Sequence, residues 1–245
     1  MKCIILCAGY SLDENLKLKE TASSLIQVSG KPLINYVIEQ LESIDIVDEI
    51  YLITNGIYYD RFIEWKKDYS IFSKLKIIND NTMAVDANLG AIGDIQYTIN
   101  IEKITDDILV LSGDVYHDFS IKDLIDNYNN EILVAGKDLE DKEILKRYGV
   151  IKEENNIIVH MQEKPQQPKG STLCLGAYII PSDALKTINE YLSEGYKRTY
   201  PGYFLEYIYK IRPVYVYKIS GNHYDMKYQE SLVKLEQTLN SSIDK

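Results

Sequence analysis

The chain has 245 residues, 45% of them apolar and 26% charged, which is ordinary for a soluble globular protein and long enough for a substantial core. Its formal net charge of −10 argues against a nucleic-acid backbone or an anionic membrane as the main partner, because both reward a positive surface. An anionic small molecule stays open, since a local cationic pocket or a bound metal can outweigh the global charge.

In chain order, the first element is a short apolar strand over Cys3–Cys7. It ends in a glycine turn and is too brief for a secretory signal. Cys3 and Cys7 share a parity and face one side of that strand. With Cys174 they form an odd set without Cys-x-x-Cys spacing, so buried thiols are expected rather than disulfides or zinc ligands. No apolar run approaches the roughly 20 residues that span a bilayer, and a cytoplasmic location follows as an expectation.

Helical spacing of apolar residues then appears over Pro32–Glu42, where Val37 and Leu41 follow Leu33 and Ile34. A strand is predicted over Glu49–Thr54, a helix over Tyr58–Asp68, a strand over Leu75–Ile78 and a helix over Leu89–Asn100. Strand Ile108–Leu111, helix Ile121–Asn129 and strand Ile132–Ala135 continue the alternation. Such β–α alternation implies a largely parallel sheet with helices on both faces. Ligands in that architecture bind beyond the carboxyl ends of strands, so the loops after Cys7, Ile78 and Leu111 are where chemistry is expected.

The second half changes character. Strands are predicted over Tyr148–Lys152, Ile157–Gln162, Cys174–Ile180 and Val214–Ile219. Helices are predicted over Ser182–Leu192, Gly202–Ile211 and Gln229–Leu239. Asn155-Asn156 signals a hairpin turn. Gln166–Ser171 is linker-like but too short to separate independent domains, so one domain over 1–245 with a mixed sheet is expected.

Several residues invite chemistry. Asp114 follows the strand Ile108–Leu111, where a carboxylate is a natural magnesium ligand or, alternatively, a turn residue capping the helix near Ser120. Asp225, in His223-Tyr224-Asp225-Met226-Lys227, reads on its own as a cap before the last helix. Glu163-Lys164 reads on its own as a solvated pair. His117, three residues beyond Asp114, lies at the cleft mouth or on the surface. None of His117, His160 and His223 has an identifiable nucleophile partner, which weakens a hydrolase reading. A nicotinamide-dependent dehydrogenase needs Gly-x-Gly-x-x-Gly after the first strand, and Ala8-Gly9-Tyr10-Ser11 offers one Gly.

Met1-Lys2-Cys3-Ile4-Ile5-Leu6-Cys7-Ala8-Gly9-Tyr10, followed by Val28-Ser29-Gly30-Lys31-Pro32-Leu33-Ile34, resembles the start of the sugar-phosphate nucleotidyltransferases. These enzymes join a nucleoside triphosphate to a sugar phosphate and release pyrophosphate. The resemblance continues through Leu111-Ser112-Gly113-Asp114, Tyr148-Gly149-Val150, Glu163-Lys164-Pro165 and Leu175-Gly176-Ala177-Tyr178 to Asp225, and thus covers nearly the whole chain. It implies a Rossmann-like three-layer sandwich with a mixed, mainly parallel sheet, the nucleotide-diphospho-sugar transferase fold.

The same resemblance implies site residues. Leu6, Ala8, Gly9, Gly90 and Asp114 would lie at the nucleotide, with the amides of the Gly90 helix start favouring an anion or a close-packed ring. Tyr148, Gly149, Glu163, Lys164 and Gly176 would line the acceptor pocket. Asp114 and Asp225 would be the catalytic pair holding Mg2+, with His223 standing for a family Trp and Lys227 for a family Gly. The implied partners are a nucleoside triphosphate and a sugar phosphate or nucleotide sugar, and a homo-oligomer is compatible with it.

The departure is in the signature loop. The family carries a Gly-x-x-Thr-Arg turn and a Pro-Lys pair whose cations grip the triphosphate. Here Asp13 falls at the Arg and Ser23 at the Lys, with Lys17 and Lys19 as the other cations in the loop. At an effective dielectric near 20, one charge pair about 4 Å apart amounts to roughly 4 kcal/mol. Two expectations follow: a divergent nucleotidyltransferase, or a catalytically impaired relative that binds a sugar phosphate or nucleotide sugar or serves as a partner subunit.

Overall fold

Strand β1 (Lys2–Leu6) is built for burial on both faces: Cys3 and Ile5 enter one apolar layer and Ile4 the other. The structure is a computed structural model and describes residues 1–11, 20–69 and 73–243. After a 3-10 turn at Ser23–Leu25 comes a small ribbon of β2 (Gln27–Val28) and β3 (Lys31–Pro32), leading into α1 (Leu33–Glu42). Then follow β4 (Glu49–Thr54), α2 (Tyr59–Asp68), β5 (Leu75–Asn79), α3 (Gly90–Glu102) and β6 (Ile108–Ser112). Next are β7 (Val115–His117), α4 (Ile121–Asp126), β8 (Ile132–Asp138), α5 (Lys142–Leu145), β9 (Gly149–Glu154) and β10 (Ile157–Glu163). The last elements are β11 (Thr172–Ile180), α6 (Leu185–Ser193), α7 (Pro201–Ile208), β12 (Val214–Lys218), β13 (His223–Asp225) and α8 (Gln229–Ile243).

One nine-stranded mixed sheet runs in the order β5-β4-β1-β6-β11-β8-β12-β10-β9. Its first four strands are parallel, and β11 then inserts antiparallel between β6 and β8. Helices cover both faces, giving three layers. Leu41 of α1, Trp65 of α2 and Leu124 of α4 join one apolar cluster, while Ile95 of α3, Ile188 of α6 and Leu205 of α7 join the other. The turn Asn155-Asn156 has φ of 54° and 61°, the double positive geometry of a tight hairpin, and it sets Ile157 against Glu154.

All three cysteines are buried and free, with Cys3 and Cys7 in the same cluster as expected from their parity. No described helix is long and apolar enough to cross a membrane. The segment Ser182–Leu192 divides into a 3-10 turn, Ser182–Ala184, and α6.

The ribbon of β7 and β13 has no counterpart among the predicted strands. Asp225 pairs with Val115 and His223 with His117. Three-residue strands carry no periodic signal, so only their partner reveals them. His117 is corrected by this pairing: it lies neither at a cleft mouth nor on the surface but is 3% exposed against Phe119. Burial pushes its imidazole down to about 3, so the ring stays neutral.

Leu111 links β1 to β11 through its register with Ile5 and Ala177 and is fully buried. Leu111→Ala is expected to cost about 2–5 kcal/mol of stability, read from the urea midpoint at constant m-value.

Candidate functional site

The carboxyl ends of β1 and β6 open into a cleft. Leu6, Ala8, Gly9, Gly90 and Asp114 come together around a cavity of about 330 Å³, joined by Tyr10, Asp94 and Lys227. Gly90 opens α3 with φ of +73°, and a Cβ there would stand 2.5 Å from the Arg198 carbonyl oxygen. Only glycine fits that approach. The amides at this helix start are already spent. Gly90 donates to Asn88 Oδ1, Ala91 to the Thr199 carbonyl at 3.3 Å and Ile92 to the Arg198 carbonyl at 3.0 Å. With these partners the three amides are not free to meet an anion.

A buried polar chain supports the same wall. Tyr10 OH donates to Thr82 Oγ1 at 2.9 Å, and Thr82 Oγ1 donates to Asp80 Oδ1 at 2.8 Å. Asp80 and Asp94 face each other, 5% and 4% exposed. Burial, reinforced by the Asp80 charge, pushes the Asp94 carboxyl up to about 8, so it keeps a proton shared with Asp80.

Tyr148, Gly149, Glu163, Lys164, Gly176 and Asp225 line a second, smaller cavity of about 90 Å³. Glycines form its walls because nothing larger fits. A Cβ on Gly176 would be 2.3 Å from Ser112 Oγ, and one on Gly202 would be 1.7 Å from Glu163 Oε2. Glu163 is half-buried rather than a solvated surface carboxylate, and burial pushes it up to about 7 despite the neighbouring Lys164 charge. Its backbone amide donates to Glu206 Oε1 at 2.6 Å. Lys164 has φ of 48°, donates its amide to the Tyr148 carbonyl at 3.0 Å, and holds its ammonium 3.5 Å from the Tyr200 ring centroid.

Asp114 and Asp225 meet through the β7–β13 ribbon, where the Met226 amide donates to the Asp114 carbonyl at 2.9 Å. Ser120 itself caps α4, accepting from the Asp123 amide, so Asp114 has no such duty. Asp225 is 6% exposed, and burial together with the Asp114 charge raises its carboxyl above the usual range. Its Oδ1 accepts the Lys227 amide at 2.9 Å, a local turn contact rather than the helix cap read from sequence, since α8 begins at Gln229. Lys227 Nζ then reaches Asp114 Oδ2 at 3.2 Å, and the Asp114 charge holds the ammonium above its ordinary pKa.

Lys227 also lines a third cavity, about 260 Å³, with Cys7, Gly9, Ser11, Ser23 and Ser24. Ser23 Oγ and Ser11 Oγ lie 2.9 Å apart there, an uncharged pair where the resemblance puts a cation. Asp13, Lys17 and Lys19 lie outside the described residues. Among the described residues, no cluster of three or more His, Cys, Asp or Glu side chains is arranged to hold a metal. Asp114 and Asp225 have the chemistry for magnesium, but Lys227 already stands on Asp114, and the set does not fit a resident divalent ion with that ammonium in place.

The largest of these cavities, about 510 Å³ beside α8, includes Tyr148 alone of the site residues read from sequence. Among the lining residues, Asp94 and Tyr200 went unnamed in the sequence reading, and Lys227 was named only as standing for a family Gly. The available signal for Lys227 was a new cation two residues from Asp225 in a chain whose signature loop had lost its own.

The Asp94 shift has a definite sign. Its folded pKa lies above the unfolded one, so the stability it contributes is fully present below about pH 4 and is lost as pH rises through about 8. Asp94→Asn is expected to flatten that dependence and raise stability near pH 8 by on the order of 1–3 kcal/mol, measured as urea unfolding at pH 5 and pH 8.

Comparison with known proteins bears on this cleft. The model of the nucleotidyl transferase family matches residues 19–226. The bifunctional protein GlmU of Methanocaldococcus jannaschii is 28% identical over 180 residues, 73% of this chain and 39% of that one. The chain spans about half the length or less of the curated relatives it matches. UDP-glucose pyrophosphorylase complexed with UDP-glucose superposes with a TM-score of 0.75 at 18% identity, covering 98% of both chains. HddC from Yersinia pseudotuberculosis complexed with GMP-PN gives 0.72 at 20% identity, covering 97% of this chain and 99% of that one. The match takes in both Asp114 and Asp225, and the chain belongs to the nucleotidyl transferase family.

Proposed function

We propose that the protein transfers a nucleoside monophosphate from a nucleoside triphosphate to a sugar 1-phosphate or similar phosphorylated acceptor. The observation that carries this is the meeting of two cavities at Lys227, one lined by Asp114 with Gly9 and Gly90, the other by Asp225 with Gly149, Gly176 and Gly202. A nucleobase is placed in the first cavity, which Gly90 and Ala91 line at the start of α3. A sugar fits the glycine-walled pocket, with Glu163 able to hydrogen-bond its hydroxyls in either protonation state.

Lys164 is placed to meet the acceptor phosphate as a point charge. An acceptor phosphate oxygen attacks the α-phosphorus in line, the bond from that phosphorus to the bridging oxygen breaks, and pyrophosphate leaves. What the chain contributes is position: two walled pockets that set donor and acceptor end to end. The UDP-glucose in one structural relative and the GMP-PN in another support a ligand of this class.

A second reading is favoured by a specific feature. Around Ser11, Ser23 and Ser24 the described residues supply one cation, Lys227, to the cavity where the triphosphate tail would lie. A protein with so little charge there would bind a nucleotide sugar or sugar phosphate without turnover.

Titration calorimetry with nucleotide sugars and sugar 1-phosphates, beside a pyrophosphate-release assay with each triphosphate, separates the readings. Binding of one nucleotide sugar is expected, weakened at least about tenfold by Glu163→Ala and by Lys164→Ala, since each removes a charged or hydrogen-bonding contact. Pyrophosphate release supports the transferase, binding without release supports the second reading, and no binding by any of these ligands overturns both.

A further inference from the structure

Among the described residues, Lys227 is the one side chain shared by all three cavities of the cleft. Around two of them, the one with Ser23 and the one with Gly90, it is the only cation among the described residues. Its backbone is fixed from both sides: its own amide donates to Asp225 Oδ1, and the preceding Met226 amide donates to the Asp114 carbonyl. Its ammonium stands 3.2 Å from Asp114 Oδ2. The Lys227 side chain is 54% exposed, yet it stands where three cavities meet, beside Asp225 and beside Asp114 from a distant part of the chain.

We propose that the Lys227 ammonium is the resident cation of the Asp114–Asp225 pair and takes the place of a divalent metal ion there. The inference deepens the reading of the cleft and rests on it for the ligand, not for the ion pair. A tethered ammonium costs no entropy of association, and a divalent ion entering beside it meets a like charge at ion-pair distance. Three N–H donors serve Asp114 and leave capacity for a phosphate oxygen, so the ligand's phosphates meet a cation with no metal present. One charge neutralises less than two, which suits binding better than charge development in a transition state.

The test uses the full chain and manganese alone as probe, read by the paramagnetic resonance signal of the free ion. Wild type is expected to leave manganese free. Lys227→Met, which keeps length and removes charge, should raise manganese affinity at least about tenfold, and adding Asp114→Asn should abolish the gain. Lys227→Arg, which keeps the charge, should behave as wild type. Equal manganese affinity in wild type and Lys227→Met, with both shown folded by near-ultraviolet dichroism, overturns the proposal.

A second arm measures nucleotide-sugar affinity in chelator. Retained affinity in wild type and a loss in Lys227→Met that magnesium restores supports the proposal, while wild-type affinity that disappears in chelator overturns it. Should no nucleotide sugar bind either protein while the manganese pattern appears, the nucleotide-sugar reading fails and the assignment of Lys227 stands.

Discussion

The cleft depends on the short ribbon in which His223–Asp225 lies antiparallel to Val115–His117. It ties the end of β6 to the segment before α8 and sets two carboxylates against each other in a partly desolvated place. Like charges so close would repel strongly. The structure answers with an ammonium from the next turn, Lys227 on Asp114, and with a raised carboxyl pKa at Asp225. Without the ribbon Asp114 would be one more loop aspartate, and the exposed Lys227 would have no carboxylate pair to face.

Rigidity around that junction comes from close approach rather than from bulk. Gly90, Gly176 and Gly202 each sit where a Cβ would collide with a backbone carbonyl, a hydroxyl or a carboxylate. These glycines let Arg198, Ser112 and Glu163 pack tightly into the walls, while the apolar layers behind them carry the stability. The buried Tyr10–Thr82–Asp80–Asp94 chain adds a polar brace between the first glycine turn and the loop after β5. Its cost is a carboxyl held protonated, and so a stability that falls as pH rises from about 4 to about 8.

Departures from the family pattern are concentrated in charge. The fold is that of the family's solved relatives, and the residues expected at the two pockets and at the acidic pair come together in it. Where the resemblance puts a cation, Ser23 brings a hydroxyl, and the cation lining that cavity is Lys227. A site can keep its shape while its electrostatics are rewired, because side-chain charge changes with single substitutions and backbone architecture does not.

Hydrophobic spacing along the chain determined most elements on its own. Helix α1 over Leu33–Glu42 and strand β4 over Glu49–Thr54 follow from apolar periods that any partner surface would satisfy. The doubled positive φ of Asn155-Asn156 was also legible, since it is a local property of those residues. Resemblance pointed to the residues around both pockets, because their glycines and carboxylates stand in recognisable order.

Tertiary structure decided the rest. The three-residue strands β7 and β13 exist only by pairing with each other, and His117 is buried only because that ribbon covers it. The Gly90 helix start lost its amides to the Arg198 and Thr199 carbonyls, a contact between segments far apart in sequence. Lys227 acquired its meaning from Asp114 in the same way. Periodicity and turn chemistry are local and can be read along the chain, whereas an ion pair or a spent hydrogen bond belongs to two places at once and appears only when the fold brings them together.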